Sequence, residues 1–252
     1  MSLAHRIIPI ILYRGHQVVK GKQFDSWRSI GHVETAFQIH WKREVDEILM
    51  LDIGATPDGR EPDFDLMRRL NDKPFLPPMT VGGGIRTVEH IRLALANGAD
   101  KVSINTMALK HPALIGEAAE KFGRQAVSVS IDVRDGRVCG SCGGKQTEFD
   151  PVAWAMTVKT LGAGEIILNV IERDGMMQGY DLDLIARVSD AVSIPVVACG
   201  GAGTYEDFAK ALDHGAHAVA AGAMFAFSDA TPAGAAEYLA DRGYPVRRKM
   251  AA

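Results

Sequence analysis

Part of this chain repeats itself without a gap. "TVGGGIRTVEHIRLALANGADKV" aligns on "VACGGAGTYEDFAKALDHGAHAV", and the offset holds at 117 from Gly84 to Gly201, from Thr87 to Thr204 and from Gly98 to Gly215. Outside that block "PDGREPDFDL" lies against "RDGMMQGYDL" at an offset of 116, Asp58 to Asp174. Two similar halves explain both matches. Chance sharing of glycine and alanine positions among α/β units is the competing explanation, and the length of the gap-free match argues against it.

Apolar runs alternate with helical patterns along both halves. The runs predict strands at Ile7–Leu12, Glu47–Ile53, Pro78–Gly82, Lys101–Ile104, Ala126–Asp132, Glu165–Val170, Pro195–Ala198 and Ala218–Ala221. They are short, rich in Val, Ile, Leu and Ala, and bounded by Gly, Pro or Asp, as parallel strands covered on both faces are. "TVEHIRLALANG" and "TYEDFAKALDHG" each open on a Thr N-cap, Thr87 or Thr204, and close on a Gly, Gly98 or Gly215. Eight strand–helix units in 252 residues predict an α/β fold, a single (β/α)8 TIM barrel domain over 1–252 made of two similar half-barrels. A doubly wound sheet is the alternative.

Composition excludes several classes of function. At 47% hydrophobic and 23% charged the chain has a globular composition, and a net charge of −3 gives no reason to expect nucleic acid or an anionic membrane. No run approaches the ~18 apolar residues of a membrane-spanning helix, and no apolar signal region opens the chain, so a cytoplasmic protein is expected. Three cysteines are an odd count, against a secreted disulfide framework. "CGSC", Cys139 to Cys142, has the spacing of half a zinc site, but no second pair exists, so a surface hairpin and no metal are expected.

Barrel chemistry sits at the C-terminal ends of the strands. After strand three comes "GGGI" and after strand seven "CGGAG"; strands four and eight end in "SINT" and "AAGA". Glycines and helix N-termini suit anions, so each half offers one phosphate-sized cup. The first would use Gly84, Asn105 and Thr106; the second Gly201, Gly222 and Ala223, joined by Gly175. A ligand with an anionic group at each end would span the mouth. The alternative is that these glycines only make tight turns. Asp132, ending strand five, is the candidate general acid or base, though it could instead cap the hairpin that follows. Asp174 could accept hydrogen bonds from substrate, Asp52 suits propping a neighbouring loop, and Lys20 could pair with either while holding a loop over the mouth. At the opposite end Arg6, Glu47, Lys101 and Glu165 stand at N-terminal strand ends and could form a ring closing the floor. On geometry alone such a ring is a stability feature.

Together "RIIP", "VVKG", "VDEILMLDI", "TVGGGIRT", "GADKVSINT", "AVSVSID", "GAGEIIL", "ERDGMMQGYD" and "ACGGAG" resemble the HisF family, the cyclase subunit of imidazole glycerol phosphate synthase, over almost the whole chain. The resemblance implies a barrel of two similar halves, a bisphosphate substrate across two phosphate sites, no cofactor, and a glutaminase partner docked on the barrel floor. Ammonia would pass through the barrel, and its salt-bridge gate maps onto Arg6, Glu47, Lys101 and Glu165, which turns the ring from a stability feature into a conduit. Of the family's two catalytic aspartates, one maps onto Asp132. The other, counted between "RIIP" and "VVKG", falls on Leu12, and the family's serine in the second cup falls on Ala223. These departures resemble the divergent HisF-like acetamidino-modification branch, which works with a glutaminase-like partner and a separate sugar amidotransferase on bacterial surface sugars. That branch is the favoured expectation. A true cyclase of histidine biosynthesis and a non-catalytic conduit that activates its glutaminase are the competing ones.

Overall fold

A computed structural model describes residues 4–43, 45–72 and 74–247. Eight parallel strands form its centre: β1 (Arg6–Arg14), β2 (Ile48–Asp52), β3 (Met79–Gly82), β4 (Lys101–Ile104), β5 (Val127–Arg134), β6 (Glu165–Val170), β7 (Val196–Cys199) and β8 (Ala218–Ala221). Each pairs in parallel with the next, and β8 pairs back on β1 with Arg6 opposite Ala218, so the sheet closes into a barrel. The main outer helices are α1 (Val33–Lys42), α2 (Phe64–Leu70), α3 (Val88–Ala96), α4 (Ala113–Phe122), α5 (Pro151–Thr160), α6 (Leu182–Ala191), α7 (Tyr205–Asp213) and α8 (Pro232–Ala240).

The strand alternation puts two different sets of side chains on the two faces. Ile7, Ile11, Met50 and Val81 face outward and join a large buried cluster with helix residues such as Phe37, Ile91 and Phe208. Ile8, Ile10, Leu49, Ile167, Val197, Cys199, Ala218 and Ala220 face inward in a second, smaller cluster that Leu12 and Leu51 cap. Each buried Ile or Leu stabilises by ~1.5–3 kcal/mol. The outer layer therefore supplies most of the apolar burial, and the narrow interior can hold Lys20, Glu47, Asp132 and Glu165, all buried.

The repeat is structural. α3 and α7 are both nine residues long, and both are capped as the sequence predicts: the Thr87 hydroxyl accepts from His90 N, and Thr204 and Asp207 form a reciprocal capping box. The five-residue helices Thr106–Lys110 and Ala223–Phe227, directly after β4 and β8, correspond in the same way.

Two features depart from the predicted outline. β1 and β5 run past the barrel rim to Arg14 and Arg134, because each continues into an antiparallel hairpin. After β1 the hairpin strands are Gln17–Lys22 and Asp25–His32. After β5 they are Arg137–Gly140 and Lys145–Gln146, the hairpin expected around "CGSC". Among the described residues no helix is long and apolar enough to cross a membrane.

Candidate active site

At the N-terminal ends of the strands the four charged residues close a ring. Arg6 Nη1 lies 2.5 Å from Glu47 Oε2, and Arg6 Nη2 also bonds Glu165. Lys101 Nζ lies 2.8 Å from Glu47 Oε1 and 2.9 Å from Glu165 Oε1. The acids are held from the sides as well: Thr80 Oγ1 donates to Glu47 at 2.6 Å, and Ser128 Oγ to Glu165 at 3.1 Å. Burial works against the Glu165 charge, but Arg6 and Lys101 outweigh it and hold that carboxyl below the usual carboxylate range. The same balance raises Arg6. Arg6 and Glu165 are therefore both held in their charged forms, and each of the four ring residues has two partners of opposite sign.

At the other end of the barrel a cavity of about 230 Å3 opens. Asp132, Asp174 and Lys20 line it together with Gly84, Asn105 and Thr106 on one side and Gly175, Gly201, Gly222 and Ala223 on the other. All the residues the sequence assigns to the two cups thus meet in one space. The four ring residues lie outside it, at the far end.

Asp132 is inward-facing on β5, opposite Asn169 of β6 in register, and Asn169 is opposite Cys199 of β7. The Asp132 carboxylate accepts from Ser130 Oγ at 3.0 Å and from Asn105 Nδ2 at 3.2 Å. Burial pushes its pKa up to about 7; Ser130 opposes the shift, and the Asp174 charge adds to it. Burial also takes Asp174 up to about 6, against the pull of Lys20. Burial brings Lys20 down to about 8. Its Nζ donates to Ile10 O at 3.1 Å, so Lys20 is held to β1 and pairs with neither Asp52 nor Asp174 by direct contact. Three titratable groups whose pKa values converge on neutrality, in one cavity, are what proton transfer needs.

Several neighbours carried no motif. Asn169 was readable only by counting inward positions from Glu165, two residues at a time. Its Oδ1 is buried without a hydrogen-bond partner. Asn105 gives its side-chain amide to Asp132, Ser130 O and Cys139 O. Asp52 props the neighbouring loop as the sequence suggests, accepting from Gly54 N, Ala55 N and both terminal nitrogens of Arg60. Leu12 and Leu51 stand opposite each other in register and line the same cavity, so the mouth has an apolar side facing the Asp132 side. Cys139 is buried, while Cys142 reaches the cavity wall with its thiol raised by burial to about 11. Among the described residues no group of His, Cys, Asp or Glu has a metal-binding arrangement.

The hairpin after β1 crosses the mouth. Gln23 N donates to Asp174 O at 2.9 Å, Arg134 Nη2 reaches Gln23 O at 3.3 Å, and Phe24 and Trp27 line the cavity.

Comparison with known proteins gives one family. Residues 6–231 match the model of the family described as "Histidine biosynthesis protein". The chain is 42% identical to imidazole glycerol phosphate synthase subunit HisF of Thermobifida fusca (strain YX), over 98% of this chain and all of that protein. It is 41% identical, over the same shares, to the subunit of that name from Streptomyces coelicolor.

Proposed function

The chain belongs to the HisF group of the histidine biosynthesis protein family, and on that premise we propose that it is the cyclase-type synthase subunit of a glutamine-dependent amidotransferase, as in imidazole glycerol phosphate synthase. In this reading a glutaminase docks on the barrel floor. Ammonia enters past Arg6, Glu47, Lys101 and Glu165 and meets a phosphorylated substrate at the mouth. The observation that carries the reading is the pair of carboxylates, buried Asp132 and half-buried Asp174, in one cavity with pKa values pushed up to about 7 and about 6. A ring closure needs one group to take a proton and another to give one. Asp132 is the base or acid on the β5 side, and Asp174 supplies the second carboxyl where position 12 offers none. Gly84, Asn105 and Thr106 on one side, and Gly175, Gly201, Gly222 and Ala223 with Lys20 on the other, would hold the two phosphoryl ends.

The direct test is turnover of the cyclase's bisphosphate substrate with ammonium salts. Product at a normal rate, lost in both Asp132→Asn and Asp174→Asn, is the expected result. No product with the native chain sinks the cyclase reading.

Leu12 favours a second reading. If Asp174 does not replace the missing aspartate, the barrel delivers ammonia to a separate sugar amidotransferase for acetamidino modification of a bacterial surface sugar. Bisphosphate turnover that appears only on Leu12→Asp would support that reading. Survival of both product formation and glutaminase activation in Asp132→Asn would leave a non-catalytic conduit.

A further inference from the structure

The two cups occupy equivalent places in the two halves, so the residues 117 positions apart can be compared directly. They are not alike. Arg86, Thr106 and Lys110 of the first half correspond to Gly203, Ala223 and Phe227 of the second. Each of these polar side chains of the first cup is replaced by a hydrogen, a methyl or a phenyl ring in the second, while the backbone N–H groups are common to both.

The surroundings agree with that difference. Arg86 and Lys110 both line the cavity, and neither forms an ion pair among the described residues. Arg86 has a single hydrogen bond, from Nη2 to Gly59 O at 3.1 Å, which leaves most of its guanidinium donors open. Thr106 already accepts from Ser141 N at 2.9 Å, so the rim cations, not this hydroxyl, distinguish the first cup. On the second side Phe227 is covered by the guanidinium of Arg28, 4.7 Å above its ring. Arg173, beside Gly201, turns its Nη1 to Gly179 O at 3.3 Å and does not line the cavity. The cation that lines the second cup is Lys20, whose Nζ stands 2.4 Å from where a Cβ on Gly222 would be. It is buried and already bonded to Ile10 O.

We propose that the cups are specialised: the first, through Arg86 and Lys110, is the anchor for a phosphate monoester, and the second takes the ligand's other end more weakly, with Lys20 as the cation beside its backbone N–H groups. This rests on the reading that the mouth binds a phosphorylated substrate, and it adds two specificity-determining residues to it. Two rim cations outweigh one buried ammonium already bonded to Ile10 O, because the cost of binding is met once while each charge-assisted contact adds to affinity.

Calorimetric titration of the whole chain with inorganic phosphate tests the proposal. One dominant site is expected. Arg86→Ala and Lys110→Ala together should weaken it by about tenfold or more, since a single charge-assisted hydrogen bond is worth about tenfold or more. Arg86→Lys should keep most of the affinity, which separates charge from the bond to Gly59 O. Lys20→Met should leave the dominant site in place. Two sites of equal affinity, a double variant that binds like the native chain, loss of the dominant site in Lys20→Met, or no phosphate binding would each overturn it. Bisphosphate turnover read alongside keeps the two claims apart. Rim-dependent phosphate binding without turnover removes the cyclase reading and leaves the anchor. Turnover with KM unchanged in the double variant removes the anchor alone.

Discussion

Asp132 shows how a single side chain trades stability for chemistry. Its folded-state pKa of about 7 lies above the ordinary aspartate value of 3.8. Between those values the folded chain binds more protons than the unfolded one, so this group makes stability fall as pH rises through that window. Asp174 acts in the same direction up to about 6. Asp132→Asn removes the charge and keeps the shape. Its unfolding free energy relative to the native chain, followed by denaturant melts at each pH, should therefore improve as pH rises from 5 to 8, by on the order of 3 kcal/mol. In the same variant ammonium-dependent product formation should drop by about a hundredfold or more. A constant stability difference across that pH range would mean that Asp132 is ionised throughout. Asp132 was legible because it ends an apolar run. Its partner Asp174 was legible as a strand-end carboxylate but not as a neighbour, since only barrel closure through the β5–β6 pairing brings the two loops together. Arg86 and Lys110 were invisible as site residues for the same reason. They look like ordinary solvated charges until the repeat is laid on the fold.

At the scale of elements, the eight barrel strands were readable because burial on both faces forces a continuous apolar run. The helices with Thr caps were readable because capping is local. The hairpin over the mouth escaped because its second strand, Asp25–His32, has no buried residue and so no periodic apolar signal. Its turn uses Gln23, Phe24 and Ser26 at positive φ, residues that do not announce a turn as Gly or Asn would. What holds the hairpin down is contact with the loop after β6. Gly175 has φ of +72°, and a Cβ there would lie 2.2 Å from Gly21 O. Gly175→Ala must therefore push the hairpin off that loop, losing the bond from Gln23 N to Asp174 O. KM for the phosphorylated substrate should rise by about tenfold, and Trp27 fluorescence should shift toward that of a solvated indole, while the barrel melts within a few degrees of the native chain. Unchanged Trp27 emission with a large loss of stability would instead make Gly175 a structural hinge of the barrel.

Across the whole molecule the charges are divided between two ends with different tasks. The floor ring pairs every acid with two bases, and the mouth carboxylates are pushed up toward neutrality. Between them the interior is lined by small or apolar side chains: Ile8, Ile10, Ile167, Val197, Ala218 and Ala220, with Ser103 and Ser128. Such an interior accommodates a small neutral molecule better than an ion, because ammonium would be desolvated there without a partner. If ammonia passes from floor to mouth, damage to the ring should act on its supply and not on the chemistry. Lys101→Met leaves Glu47 and Glu165 facing each other with Arg6 as their remaining cation, at a cost of ~3 kcal/mol in stability. Product formed from glutamine with the partner present should fall several-fold relative to glutamine hydrolysed. The rate with ammonium salts, which reach the mouth from solution, should stay within about twofold of native, since Lys101 makes no contact with the transition state there. Equal loss in both assays would mean that the ring supports the barrel's shape and carries no traffic.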